Sequence, residues 1–214
     1  MPRKRNQRPT NVAYYAANRE REIERVTRRQ AATTAFLREL REVPCADCGN
    51  RLAGHQMDFD HRDPSTKSFN LCSGRATLKS HTQILAEASK CDVVCANCHR
   101  LRTRHQHRAW LNSRTPSKSA ETVKRRARWR YHAELLDQLR SVPCSDRGGR
   151  FAQCSMDFDH RDPSTKGMRV TAMVGRAGIR RILAEVAKCD IVCANCHRLR
   201  TFERRSKTSA FKRA

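Results

Sequence analysis

Acidic, aromatic and apolar residues are all scarce in this chain. Its 214 residues hold 21 acids against 45 Lys and Arg, a formal charge of +24. The sequence pI is near 10.7, an excess beyond what solubility needs, which implies a polyanionic partner such as nucleic acid. No run approaches ~18 consecutive apolar residues and the N-terminus lacks the apolar centre of a secretory signal, so no membrane partner is expected and the expected location is cytoplasmic, with the nucleoid. Aromatics make up 6% and hydrophobics 38% of the chain. Domains of about 100 residues with so little apolar surface need something besides a core to hold them.

Cysteine is what the chain has in quantity: eleven residues. In a reducing compartment, Cys-x-x-Cys spacing indicates metal ligation rather than disulfides. The chain also repeats itself. MDFDHRDPSTK at 57–67 returns at 156–166, and KCDVVCANCHRLRT at 90–103 returns at 188–201 with Ile191 in place of Val93. The expected organisation is a basic N-terminal arm and helix (1–42), a first unit (43–111), a basic linker and helix (112–141), a second unit (142–205) and a basic tail (206–214). An internal duplication of this kind removes the need for an oligomer.

Local patterns supply the elements. A helix is expected from about Asn11 to Val43, where Phe36, Leu37 and Leu40 have helical spacing and Pro44 closes the segment, with a counterpart from about Ala120 to Val142. Residues 57–60 alternate Met, Asp, Phe, Asp and read as a short strand with Asp58 and Asp60 on one face. Ser80 and Gln83 have capping-box spacing ahead of the apolar stripe Ile84, Leu85, Ala88. Asp92–Cys95 reads as a buried strand and Ala96 onward as a helix, so each unit should run hairpin, helix, strand, helix. The arm at 1–10 reads as mobile, the polar run NSRTPSKS at 112–119 as a linker, and the tail from Phe202 as frayed.

Cys45, Cys48, Cys95 and Cys98 form two Cys-x-x-Cys pairs, and four thiolates select structural Zn²⁺. In the second copy Arg147 aligns with Cys48, leaving Cys144, Cys193 and Cys196, with Cys154 as a possible fourth ligand. Zinc there should be weaker. Cys72, Cys91 and Cys189 are expected as buried small residues. Asp60, with Asp58 available, and His99 offer oxygen and imidazole to a harder ion, Mg²⁺ or Mn²⁺, and leave positions open for water and phosphate. His61 is then the natural general base, and Arg102, three residues beyond His99 on a helix, could clamp the scissile phosphate. Strict alternation would put Asp60 and His61 on opposite faces, so the strand must end or twist there. Asn97 and Asn195 could cap a helix or orient a ligand. His105 and His107 read as solvated.

Between His99 and Tyr131 stand eleven Lys or Arg and one acid, Glu121. Lys124, Arg125, Arg126, Arg128, Trp129 and Arg130 interleave charge with an aromatic, a pattern suited to phosphates and stacked bases.

The order Cys-x-x-Cys, Asp-His, Cys-x-x-Cys-His resembles the HNH endonuclease family, in particular its zinc-containing members common in phages and actinobacteria, over roughly 43–105 and 142–203. The resemblance implies an α+β fold of two tandem zinc-stabilised ββα-metal units joined by basic helical segments. It implies a metal-dependent DNA endonuclease, with RNA open as substrate and cleavage leaving a 5′-phosphate. His61 and His160 would be the bases, Asp60 with His99 and Asp159 with His197 the divalent-ion ligands, and Arg102 and Arg200 the phosphate clamps. Many family members brace the base through an asparagine about five residues before the second cysteine pair. Lys90 and Lys188 stand there here, with Asp92 and Asp190 as substitutes. The competing reading is a zinc-dependent nucleic-acid-binding protein without catalysis, in which the Asp-His pairs would have no use.

Overall fold

The computed structural model describes residues 12–72, 74–112 and 119–211. The N-terminal arm and residues 113–118 of the linker lie outside them. The fold is α+β with two small two-stranded sheets. Helix α1 spans Val12–Glu39, β1 Met57–His61, α2 His81–Ala88, β2 Cys91–Cys95 and α3 Ala96–Asn112. The second copy follows as α4 (Ala120–Leu139), β3 (Met156–His160), α5 (Val170–Met173), α6 (Ile179–Val186), β4 (Cys189–Cys193) and α7 (Ala194–Phe211). β1 pairs with β2 and β3 with β4. No described helix is long and apolar enough to cross a membrane.

Two elements differ from the sequence reading. The expected hairpin is absent, because β1 pairs with β2 and not with a strand before it; the Cys45–Cys48 and Cys144–Arg147 segments are turns, as the glycine after the first pair implies, and Gly49 (φ 71°) and Gly148 (φ 66°) take the left-handed conformation and return their N–H groups to the carbonyls of Cys45 and Cys144. The final segment continues α7 as far as Phe211 instead of fraying.

Packing divides the described chain into two compact units. The first comprises α1 through Arg41 together with His61–Asp92. There Phe36 stacks on His81 with ring centroids 4.2 Å apart, and Leu37, Leu71, Ala76 and Ile84 are buried. The capping box forms: Gln83 N–H donates to Ser80 Oγ (3.2 Å) and Ser80 N–H to Gln83 Oε1 (3.0 Å). The turn at Pro64 is closed by the Asp63 carboxylate, which accepts from Ser65 N–H at 2.9 Å.

The second unit comprises Glu42–Asp60 and the chain from Val93 onward, and so contains the whole second copy. Strand β3 runs antiparallel to β4, with Phe158 opposite Ile191, Asp159 opposite Asp190 and His160 opposite Cys189. Leu136 of α4, Val170 and Met173 of α5, and Ile182 of α6 pack together with Cys189. A separate cluster gathers Met156 and Val192 around Cys144, Cys193 and Cys196. Met57 and Val94 do the same around Cys45, Cys95 and Cys98. Apolar residues are thus wrapped around sulfur, consistent with domains too small to rely on a core alone.

Candidate metal centres

Two cysteine clusters could hold a metal such as zinc. Cys45, Cys48, Cys95 and Cys98 place all four sulfurs within 4.8 Å of one another. Sulfurs about 2.3 Å from a tetrahedral zinc lie about 3.8 Å apart, so the set needs little adjustment. Cys95 N–H donates to Cys45 Sγ at 3.2 Å. Burial raises the Cys45 thiol, but the surrounding backbone N–H groups outweigh it and lower the thiol to about 7. The second cluster has three cysteines, Cys144, Cys193 and Cys196, all buried and within the same 4.8 Å limit. Cys154 does not join it; that residue lines a separate cleft with Asp58, His99 and Arg198. Cys91 and Cys189 are buried with their thiols on the carbonyls of Glu87 and Glu185 (3.5 and 3.4 Å), while Cys72 is exposed rather than buried.

Each strand acid pair meets a helix histidine. His197 Nδ1 bonds Asp157 Oδ2 at 2.8 Å, and its Nε2 lies 3.5 Å from Asp159 Oδ1. His99 repeats this with Asp58 Oδ2 at 2.8 Å and Asp60 Oδ1 at 3.7 Å. A carboxylate on Nδ1 fixes the tautomer whose Nε2 lone pair points outward, the arrangement used by metal-binding histidines. Two ligand atoms each about 2.1 Å from one ion lie about 3.0 Å apart at a right angle and about 3.4 Å apart at a tetrahedral one, so the 3.7 Å between Nε2 and Asp60 in the first copy needs a small closure to take a divalent ion. Burial pushes the Asp58 and Asp157 carboxyls up, and the bonded histidine and arginine override it, holding both at about 2.

Those arginines come from the other copy. Arg100 of α3 makes a two-toothed bridge to Asp157 (2.7 and 2.8 Å), and Arg198 of α7 makes the same bridge to Asp58 (2.9 and 2.7 Å). Each helix therefore fixes the acid that fixes the other helix's histidine. Asn97 and Asn195 are exchanged likewise: each side-chain oxygen accepts the other's backbone N–H, at 3.3 and 3.2 Å. They are caps, but each caps the first turn of the opposite helix. Gln56 and Ser155 complete the exchange by donating to the carbonyls of Asn195 (3.0 Å) and Asn97 (2.9 Å).

The strand histidines are braced by residues that sequence reasoning missed. His160 Nε2 bonds Glu185 Oε1 at 2.8 Å, and the same oxygen accepts Gly167 N–H at 2.8 Å while Lys188 Nζ donates to Oε2 at 2.8 Å. In the other unit His61, Glu87 and Lys90 repeat the chain at 2.9 and 2.7 Å. Lys90 and Lys188, five residues before Cys95 and Cys193, thus reach the histidines through a glutamate. Asp92 and Asp190 do not brace; they accept from Arg62 and Arg161. Lys188 and His160, aided by backbone N–H groups, hold the Glu185 carboxyl at about 2, below its ordinary 4.5. A lowered folded value stabilises the fold above pH 4.5 and the effect is lost as pH falls towards 2. Glu185→Gln should lower the melting temperature by roughly 5 °C at pH 7, and the difference from the parent should shrink below pH 4.5 and close near pH 2, as followed by circular dichroism.

In the second copy Asp157, Asp159, His160, His197, Lys166 and Arg204 line one cleft of about 370 Å³. Asp159 and His160 both face it although they are strand neighbours, because β3 ends at His160. Arg102 and Arg200 are engaged by acids: Arg102 by Asp47 (2.9 Å) and Asp60 (3.0 Å), Arg200 by Asp146 (2.9 Å), Asp159 (3.1 Å) and Asp190 (2.9 Å). In this state they hold Asp60 and Asp159, and acting as phosphate clamps would require an exchange of partners. On α4, Lys124, Arg125, Arg126, Arg128, Trp129 and Arg130 are all exposed. Trp129 with Arg125, Arg126, Arg176 and Gly175 lines a cleft of about 270 Å³. His105 is exposed, and the His107 side chain lies outside the described residues.

Comparison with protein-family models, with curated proteins and with solved structures found no match, so it is the arrangement of acids, histidines and sulfurs that carries any functional conclusion.

Proposed function

We propose that the protein is a metal-dependent HNH-type endonuclease hydrolysing DNA phosphodiester bonds, built on two tandem zinc-dependent ββα-metal units. The observation that carries this reading is the helix histidine: Nδ1 anchored on one strand acid and Nε2 turned to a second acid 3.5–3.7 Å away. A domain that only binds nucleic acid gains nothing from a buried acid, an oriented imidazole and a strand histidine braced by glutamate. A hydrolase needs all three. Asp60 and His99, or Asp159 and His197, would hold Mg²⁺ or Mn²⁺, which when bound supplies Lewis-acid stabilisation of the phosphate.

The residues of this chain do the rest. Glu87 accepts the Nε2 proton of His61, so the other ring nitrogen carries the lone pair that takes a proton from water. His160 has the same arrangement through Glu185. The charge of +24 and the exposed arginines of α4 supply affinity for the backbone, and Trp129 offers a ring on which an unpaired base stacks.

The test is a labelled DNA duplex incubated with protein and Mn²⁺ or Mg²⁺, with product ends resolved on a denaturing gel and an RNA duplex in parallel. Ion-dependent fragments bearing 5′-phosphates are expected from DNA. Tight, salt-sensitive binding with no fragments from either substrate would favour the non-catalytic, zinc-dependent binder.

A further inference from the structure

Two of the arginines that the second copy has and the first lacks stand beside its candidate ligand sets. Arg147 stands at the position of Cys48, and Arg204 at the position of Gln106, which is exposed. Arg204 grips Asp159 with both teeth, Nη1 on Oδ1 at 2.9 Å and Nη2 on Oδ2 at 2.8 Å. Arg200 adds a third bond to Oδ2 at 3.1 Å. Both oxygens that would face an ion are thus taken by cations, whereas the contacts of Asp60 among the described residues are Arg102 and His99. At the sulfur cluster, Cys144, Cys193 and Cys196 are all buried and lie within 4.8 Å of one another, and the turn closed by Gly148 N–H on the Cys144 carbonyl carries Arg147 where the first copy has its fourth cysteine. The residues of the second copy therefore fit metals less well at both places.

We infer that the second copy has exchanged metal for arginine: Arg147 supplies the positive charge among three cysteines and Arg204 supplies it at Asp159, so that zinc and the divalent ion are held by the first copy alone. The carboxylate half rests on the metal-dependent reading above; the cysteine half does not. Guanidinium is always charged, and its planar fork matches a carboxylate, so a divalent ion at Asp159 would have to break two charge-assisted bonds and then sit beside two arginines. Arginine has no lone pair to offer zinc, so it satisfies the thiolates without completing a tetrahedron.

Metal counting on the full chain, purified without chelator, tests this. Elemental analysis should find roughly one zinc per chain, lost in Cys45→Ser and kept in Cys144→Ser, with Arg147→Cys raising the count to about two. Electron paramagnetic resonance of a Mn²⁺ titration should find roughly one tight site, with Arg204→Gln creating a second. Two zinc ions in the parent, one of them removed by Cys144→Ser, would overturn the cysteine half. Two equivalent Mn²⁺ sites in the parent, or none in either the parent or Arg204→Gln, would overturn the carboxylate half. Neither count uses DNA, so a chain that binds one ion of each kind and cuts nothing contradicts the nuclease reading and leaves this one standing.

Discussion

Removing zinc from the four-cysteine cluster should unfold the unit that contains it. A structural zinc contributes on the order of 10 kcal/mol, against a total stability of about 5–15 kcal/mol for an ordinary domain, so little remains once the ion is gone. The local packing supports a large effect. Met57, Val94 and Cys95 are at most 2% exposed and are gathered around the sulfurs, with no aromatic among the buried residues of the cluster to hold them once the sulfurs separate. Cys95→Ser should behave like chelation, because it removes a ligand and disturbs the N–H of residue 95 that bonds Cys45 Sγ. Cys144→Ser should cost far less, about what one buried polar substitution costs. Thermal melting by circular dichroism, with and without a chelator, measures both; a melting curve unchanged by a chelator that strips the zinc would show that the cluster is not structural.

The second large effect belongs to His61. Its replacement by alanine should lower cutting by about 10²–10⁴-fold, the usual contribution of a positioned general base. DNA affinity should stay within a few fold, since the basic surface is untouched and the residue is only 9% exposed. His160→Ala should leave most cutting in place, because Arg204 occupies the acid beside it. Initial rates and filter-binding affinities on the same preparations separate the two effects. Equal losses from both substitutions would mean two working sites, and a large fall in affinity with His61→Ala would mean that His61 has a binding or folding role.

Short-range features were legible in the sequence. The Ser80–Gln83 box, the alternation through Met57–Asp60, the turn at Asp63–Pro64 and the cysteine pairs all depend on spacing within a few residues, and spacing is what a sequence displays. What escaped was set by partners far away in the chain. Glu87 stands next to the apolar stripe of α2 with no motif to mark it, yet it is 2% exposed and bonds a histidine 26 residues earlier. Its recurrence as Glu185 in the same helical context was the available signal. Arg100 and Arg198 have no local partner to mark them, and their bridges reach across 57 and 140 residues. Arg204 lies beyond the matched motif, where comparison with Gln106 would have marked it. The expected hairpin failed for the same reason: the partner of β1 is β2, which follows only after α2 and not across a short turn.

The central claim, that the acid–histidine sets hold an ion for phosphodiester cleavage, is tested most directly on supercoiled plasmid. The purified chain is incubated with Mn²⁺, with Mg²⁺ and with a weak chelator in place of either, and nicked and linear forms are followed over time. Nicked circles that accumulate only when an ion is present, with linear product lagging behind, are the expected result. A plasmid that stays supercoiled under all three conditions while the protein binds it tightly and salt-sensitively would contradict the claim.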